Sequence, residues 1–407
     1  MKNGWQSKKL GEVCITIQDG AHESPQKQFD APAKGLFLYI TSKNIRTNYL
    51  DLRNVSYVER EFHDKIYPRC KPLVGDVLLT KDGANTGNVC LNTIDQPFSL
   101  LSSVCLLKTN PSALEPAFLC YYLQSPDGLK SIIGQMSGAA IKRIILRDVK
   151  LATIPLPSLS EQQRIVGILD EAFEGIATAK ANAERNLQNA RALFESHLNS
   201  VFTQRGEGWV EKRLEEVAES ISTGPFGTML HKSDYVADGI PLVNPMNIVG
   251  SRIVPSNKMM VSEETRERLR SYVLKEGDVV IGRRGELGRC ALVTQHEEGW
   301  LCGTGSFFVR LSDCMDGKFF VALFGSQQFR TRLEGSAIGA TMSSLNHSIL
   351  NDLRLPVPPV TVQRREMAKA DELLFETQRL ESIYQQKLAA LEELKKSLLH
   401  QAFNGEL

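Results

Sequence analysis

IPLPSLSEQQRIVGILD (residues 154–170) and LPVPPVTVQRREMAKAD (residues 355–371) state one pattern twice in a single chain. In each, a Pro-X-Pro turn leads to a polar opening rich in Gln and Arg, then to a long stretch of helical period. Proline fixes φ and lacks an N–H, so these prolines are expected to stop a strand before a helix begins. Ser160 and Thr361 are the candidate N-caps. Beyond the opening, Ile165, Leu169, Ala172, Ile176, Ala179 and Ala183 step by four and three. A four-residue skip then leads to Leu187, Ala190, Phe194, His197 and Val201. In the second stretch Leu373, Thr377, Leu380 and Tyr384 are followed by the same skip to Leu388, Leu391, Leu394 and Leu398. The skips coincide under a shift of 201 residues, the mark of a shared coiled-coil stutter. About 40 helical residues rise roughly 60 Å. That exceeds what a small domain needs, so the two helices are expected to pack on each other, the alanine-rich seam facing the bulkier one. The competing reading has each helix cover its own domain as an ordinary amphipathic element.

Working outward, the rest of the chain repeats too. GWQSKKLGEVCITIQDG from Gly4 matches GWVEKRLEEVAESISTG from Gly208, and VGDVLLTKDGANTGNVC matches EGDVVIGRRGELGRCAL. SHLNSVF at Ser196 matches SLLHQAF at Ser397. All lie in the same order at nearly constant offset. Short β-rich runs such as GLFLYI, DVLLT and SVCLLK alternate with turn residues, and helical patterns follow in PAFLCYYLQS and KFFVALFGSQQF. The expected architecture is α+β: similar globular domains at 1–158 and 205–359, separated by long helices at 159–204 and 360–407. The helices are expected to form a coiled coil with each other, and the whole a pseudo-twofold tandem repeat.

Composition narrows the function classes. The 407 residues are 42% hydrophobic and 23% charged, with a formal net charge of +1, which argues against an indiscriminate polyanion binder. Residues 1–157 carry 19 basic and 14 acidic side chains, and residues 206–358 carry 17 and 19. The first half therefore has the better electrostatic footing on nucleic acid. No apolar run is long enough to span a membrane, and the start does not read as a secretory signal. Eight cysteines never form CxxC and read as buried thiols of a reducing cytoplasm. The seven histidines are dispersed, so no metal site is expected. No GxxxxGK[ST] phosphate loop or strand-linked GxGxxG is present. NPMN at Asn244 shares Asn-Pro with the Asn-Pro-Pro-aromatic motif of adenine methyltransferases, but lacks the aromatic that stacks a flipped base.

Three places recur in both copies with groups suited to DNA. One is the hairpin after Gly-Asp, TKDGANTGN and GRRGELGR, where Lys81, Asn85, Arg283 and Arg284 suit base edges and phosphates. The plain rival is a solvated hairpin tip. A second follows an extended strand, in TSKNIRTN and VNPMNIVG, where Asn44 and Asn247 align and Lys43 and Arg46 add charge in the first copy only. A buried asparagine holding a turn is the equal rival there. The third precedes the Pro-X-Pro turn and offers Lys142 and Arg143, or Ser343, Ser344, Asn346 and His347. Its rival is a local helix packed home with its polar face wet.

A globular unit, a Pro-X-Pro turn into SEQQRIVGILD, a long helix, and then the same again ending in QAFNGEL resembles the specificity subunit of type I restriction-modification enzymes. The resemblance covers the whole chain. It implies that the globular units are target recognition domains, each reading one half of a bipartite, asymmetric site in double-stranded DNA. It also implies that the helices pack antiparallel as a spacer and dock two methyltransferase subunits, with two restriction subunits joining them. The chain itself would be noncatalytic and hold no cofactor. S-adenosylmethionine for adenine N6 methylation, and ATP and Mg for translocation and cleavage, would sit on partners in a bacterial or archaeal cytoplasm. The alternatives are a coiled-coil structural adaptor whose globular units bind protein, and an enzyme whose site the motifs do not reveal.

Overall fold

The computed structural model describes residues 4–133, 143–226, 229–284, 288–336 and 345–407. Two compact units result, one formed by Met1–Glu184 with Gln385–Leu407 and the other by Arg185–Tyr384.

In the first unit a four-stranded antiparallel sheet has the order Cys14–Asp19, Val104–Thr109, Val77–Thr80, Val89–Leu91. Every residue of Val77–Thr80 is buried, because the sheet is covered on both faces. Ile17, Val77, Leu79, Cys105 and Leu107 face a core completed by Phe118, Leu119, Ile165, Leu169 and Phe403. Leu78, Cys90, Val104 and Leu106 face the other way, against Leu38, Ile40, Ile45 and Phe98. This alternation is the period-two signature of DVLLT and SVCLLK. A smaller sheet has the order Ser56–Glu59, Leu36–Ile40, Ser99–Leu100, the last pair parallel. The helix Pro116–Gln124 presents Phe118 and Tyr122 to the ring of Phe403, at 5.1 and 5.2 Å.

The second unit repeats this plan. Its main sheet has the order Ala218–Thr223, Ser306–Leu311, Val279–Gly282, Cys290–Leu292. Val279, Ile281, Phe307 and Val309 pack with Phe319, Phe320, Phe202, Met367 and Ala370. Val280 and Phe308 pack with Val243, Ile248, Leu274 and Cys302 on the opposite face. The helical pattern KFFVALFGSQQF forms two helices, Gly317–Phe324 and Gln327–Ser336.

Glycine fixes one feature in both copies. A Cβ at Gly20 would lie 2.3 Å from the carbonyl oxygens of Leu100 and Leu101, and one at Gly224 would lie 2.0 Å from that of Gly303. Only a residue without Cβ lets the first sheet strand end against that backbone.

Each unit is closed by a two-stranded ribbon, Gln6–Lys9 with Thr153–Leu156 and Val210–Arg213 with Arg354–Val357. Pro155 and Pro356 therefore lie inside strands instead of ending them, tolerated because a two-stranded ribbon has a free edge. The long helices span Leu159–Thr203 and Val360–Asn404, 45 residues each. Ser160 and Thr361 fall within the first turns and are not the caps. In the first helix the Ser158 hydroxyl accepts from the Glu161 N–H at 3.4 Å. In the second the Pro359 carbonyl accepts from Val362 and Gln363.

The seam follows the expected steps. Ile165, Leu169, Ala183 and Ala190 are buried, as is Thr377 of the second helix. In the first unit Arg164 donates to the Leu407 carbonyl (2.6 Å) and Lys180 pairs with Glu392 (2.7 Å), so partner numbers fall as helix numbers rise: the pairing is antiparallel. Arg191 pairs with Glu381 in the second unit. One position differs. Leu394 is 47% exposed, and Lys395 takes the inward place with its ammonium 5.2 Å from the Phe173 ring centroid. A lysine stem covers apolar surface while its head stays polar, and burial lowers this lysine's pKa. Among the described residues no helix is long and apolar enough to cross a membrane.

Candidate DNA interface

The described parts of the three recurring segments meet at one edge of the sheet in each unit. In the first, the strand ending at Thr80 runs on into Lys81, whose N–H donates to the Ser103 carbonyl and whose own carbonyl accepts from Ile144 (both 2.8 Å). Arg143 is thereby brought beside the hairpin and is exposed. The hairpin closes by Gly87 N–H to the Thr80 carbonyl (2.9 Å), with Gly83 and Gly87 at φ +89° and +94°. Asn85 donates to the Ser42 carbonyl and Asn88 to that of Ile45, each at 3.2 Å, which ties the hairpin to the Thr41–Asn48 segment.

That segment is held by Asn44, which is 3% exposed. Its Oδ1 accepts from the Thr41 N–H and its Nδ2 donates to the Asp51 carbonyl, both at 3.0 Å. Asn44 is the turn-holding asparagine of the rival reading and presents nothing to a groove. What it displays is Lys43, Thr47, Asn48 and Tyr49, all exposed. Arg46 is half-buried and lies 3.9 Å from Asp51. The guanidinium of Arg53 holds the Asp51 carboxyl well below the usual carboxylate range.

Lys81 differs most from expectation. Its side chain turns inward and its Nζ lies 2.6 Å from Asp19 Oδ2, both groups buried. An ammonium spent in a buried pair is not available to phosphate.

In the second unit the same frame recurs. Arg283 N–H donates to the Gly305 carbonyl, and the Arg283 carbonyl accepts from Leu345 (both 2.9 Å). Asn247, also 3% exposed, accepts from the Asn244 N–H (3.0 Å) and donates to the Val254 carbonyl (2.9 Å). It too holds a turn. Arg283 is half-buried, with its guanidinium 5.2 Å from the Phe307 ring centroid. Thr223 stands where the first copy has Asp19, so the cation rests on an aromatic face instead of pairing with a carboxylate. Arg284 is exposed. Asn346 accepts from the Ile349 N–H (2.9 Å) and so caps the short helix His347–Asn351. The exposed His347 ring meets Phe307 edge-on at 5.4 Å. Lys142, Ser343 and Ser344 lie outside the described residues.

The two edges share a scaffold and differ in what they show. Where the first copy displays Lys43 and Arg46, the second displays Met246 and Val249, with Val254 beside them, all three exposed. Two further residues went unread in the sequence. Asp76 accepts from the Leu73 N–H (2.7 Å) and pairs with Lys108 (2.6 Å), and Asp278 accepts from Lys275 (2.9 Å) and pairs with Arg310 (3.2 Å). They anchor the start of the central strand, and the repeated Gly-Asp was the signal for them. Burial raises the Asp278 pKa, against the pull of its partners.

Chemistry at these edges is that of contact. Among the described residues no three His, Cys, Asp or Glu side chains are grouped to hold a metal. The cysteines are free, and burial pushes the Cys90, Cys120 and Cys290 thiols up to about 12.

Comparison with known proteins agrees with the repeat. A family model described as the type I restriction modification DNA specificity domain matches residues 2–186 and again residues 206–390. The MjaVIII type I specificity subunit of Methanocaldococcus jannaschii is 22% identical over 99% of this chain and 93% of its own length. The EcoBI specificity subunit of Escherichia coli is 21% identical over 82% of this chain and 73% of its own. Among solved structures, the HsdS subunit of Thermoanaerobacter tengcongensis superposes with a TM-score of 0.65 at 20% identity, covering 100% of this chain and 98% of that one. A chain from work on complex assembly and conformational transition of the type I R-M system reaches 0.73 at 21% identity, covering 100% and 99%.

Proposed function

Because the chain belongs to the type I restriction-modification DNA specificity family, we propose that each of its lobes reads one half of a bipartite, asymmetric site in double-stranded DNA. The long helices set the gap between half-sites and dock two methyltransferase subunits. The chain binds no cofactor and performs no chemistry of its own. Adenine N6 methylation from S-adenosylmethionine belongs to the docked subunits, and ATP- and Mg-dependent translocation and cleavage to two restriction subunits.

The observation that carries this reading is the duplicated edge: one backbone frame, built twice, displaying different side chains. Duplicated readers with unlike surfaces suit two unlike half-sites, as identical subunits suit a palindrome. Lys43, Asn85, Arg143, Arg284, Asn346 and His347 are the proposed contacts, joined by Lys142 and Ser343. Arg283 stands behind Arg284 against Phe307 and supports the edge with its charge. Asn44, Asn247 and Lys81 shape the edges from beneath and are not proposed as contacts.

The test exchanges residues 206–358 for the second recognition domain of another specificity subunit and maps methylated adenines in the host. One changed half-site is the expected result. A change in both, or in neither, refutes independent readers.

A further inference from the structure

The repeated start of the long helix contains a residue whose duty neither recognition nor the helix seam explains. Gln162 and Gln363 occupy the fourth position of their long helices and are 0% exposed. Gln162 Oε1 accepts from the Glu115 N–H (2.8 Å), and its Nε2 donates to the carbonyls of Ala113 (2.9 Å) and Pro157 (3.0 Å). Gln363 Oε1 accepts from the Asp316 N–H (2.8 Å), and its Nε2 donates to the carbonyls of Cys314 (2.9 Å) and Pro358 (2.8 Å). Each amide uses both donors and its acceptor on backbone alone. Glu115 and Asp316 are the residues just before the lobe helices Pro116–Gln124 and Gly317–Phe324. One side chain thus joins three stations: the start of the lobe helix, the link from ribbon strand to long helix at Pro157 or Pro358, and the start of the long helix. An outer contact repeats nearby, Tyr121 hydroxyl to Asp170 in the first copy and Lys318 to Asp371 (2.7 Å) in the second.

The chemistry explains the residue type. Glutamine is neutral, reaches across a turn, and carries one acceptor and two donors in a fixed plane. Glutamate would set a carboxylate against two carbonyls, and leucine would leave three buried backbone groups unpaired. Beyond these amides and the outer contacts at Asp170 and Asp371, the hold of lobe on helix is largely apolar among the described residues, through residues such as Ile165, Leu169 and Phe118. Apolar contact is non-directional and tolerates sliding, whereas hydrogen bonds fix distance and angle.

We propose that Gln162 and Gln363 are positioning residues for DNA recognition, each fixing the attitude of its lobe on its own long helix and so restricting the gap at which both half-sites are read. This rests on the half-site reading above. The test places Gln162→Leu and Gln363→Leu separately in the full chain, assembled with its methyltransferase subunits in a host lacking the system, and maps modified adenines. Wild type is expected to give one gap length. Each variant is expected to modify the same half-sequences with gaps one base pair longer or shorter at least about tenfold more often. Amide exchange at Glu115 or Asp316 should quicken in the matching variant. A folded variant that keeps the wild-type gap distribution overturns the proposal, as does one that only lowers total methylation. If a leucine variant fails to accumulate, Gln162→Met or Gln363→Met, which keeps the unbranched side-chain length, is judged by the same outcomes. A wild-type complex with no bipartite pattern sinks the half-site reading itself and this proposal with it, a failure distinguishable by the protein in which it occurs.

Discussion

Removing Lys81 should cost the first unit far more than an exposed lysine would. Its ammonium and the Asp19 carboxylate are 2.6 Å apart with side chains 3% and 8% exposed. At an effective dielectric of about 20 their attraction is ~6 kcal/mol, and desolvation costs several kcal/mol per ion, so the intact pair nets near zero. Lys81→Met removes half of it and strands a carboxylate whose Oδ1 already lacks a hydrogen-bond partner among the described residues. The expected loss is about 3–5 kcal/mol. Adding Asp19→Thr, the residue type the second copy uses at Thr223, removes both charges and should restore stability to within ~1 kcal/mol. Native-state amide exchange on the full chain reads this locally. Val77, Leu78 and Leu79 should exchange at least about 100-fold faster in the single variant, while Val279, Val280 and Ile281 stay unchanged as an internal control. A single variant within about threefold of wild type, or a double variant as labile as the single, refutes the buried-pair account. Loss of first-half-site preference in a stable double variant would show that Lys81 reaches DNA after all.

Gly20→Ala and Gly224→Ala should each destabilise only their own unit, by about 3 kcal/mol, the upper end for overpacking, as read by the same exchange experiment. His63 stacks between Phe37 (3.9 Å) and Tyr67 (4.9 Å) with Nδ1 2.9 Å from the Ser99 hydroxyl, and burial lowers its pKa below 6.5. The unfolded chain therefore takes up a proton that the folded one excludes. Its contribution is fully present above the unfolded value and is lost as pH falls from there through the folded one. His63→Phe should flatten the Tm-against-pH curve of the first unit over that window. Arg284→Ala should weaken specific DNA binding by the assembled methyltransferase by about 1–3 kcal/mol, with relaxed preference confined to the second half-site. Equal loss on all sequences would mark a phosphate contact instead.

What could be read from residue types alone was whatever repeats locally. The long helices that follow Pro157 and Pro359, their seams down to Ala183, Ala190 and Thr377, and the strands in DVLLT and SVCLLK depend on neighbours a few positions away, so spacing exposed them. Errors came where a distant or competing partner decides. Lys81 points inward because of Asp19, 62 residues back, and nothing in TKDGANTGN announces that. Asn44 and Asn247 look alike whether they read bases or hold turns, and only the backbone carbonyl seven residues on, at Asp51 and Val254, separates the two roles. Leu394 yields to Lys395 because a lysine stem fills the seam beside Phe173. Ser160 and Thr361 are not caps because the helices begin earlier, at Leu159 and Val360.

The division into units has a consequence for biosynthesis. Residues 185–384 form one uninterrupted compact body, whereas the other needs residues 385–407, including Leu399, Ala402 and Phe403, to finish its interior. On the ribosome the lobe made first must therefore wait, with Phe118 and Tyr122 lacking Phe403, until residues 385–407 emerge. The lobe made second can close before it. The lobe made first thus closes second, and a nascent chain stalled before residue 385 would leave that lobe the less protected from proteases.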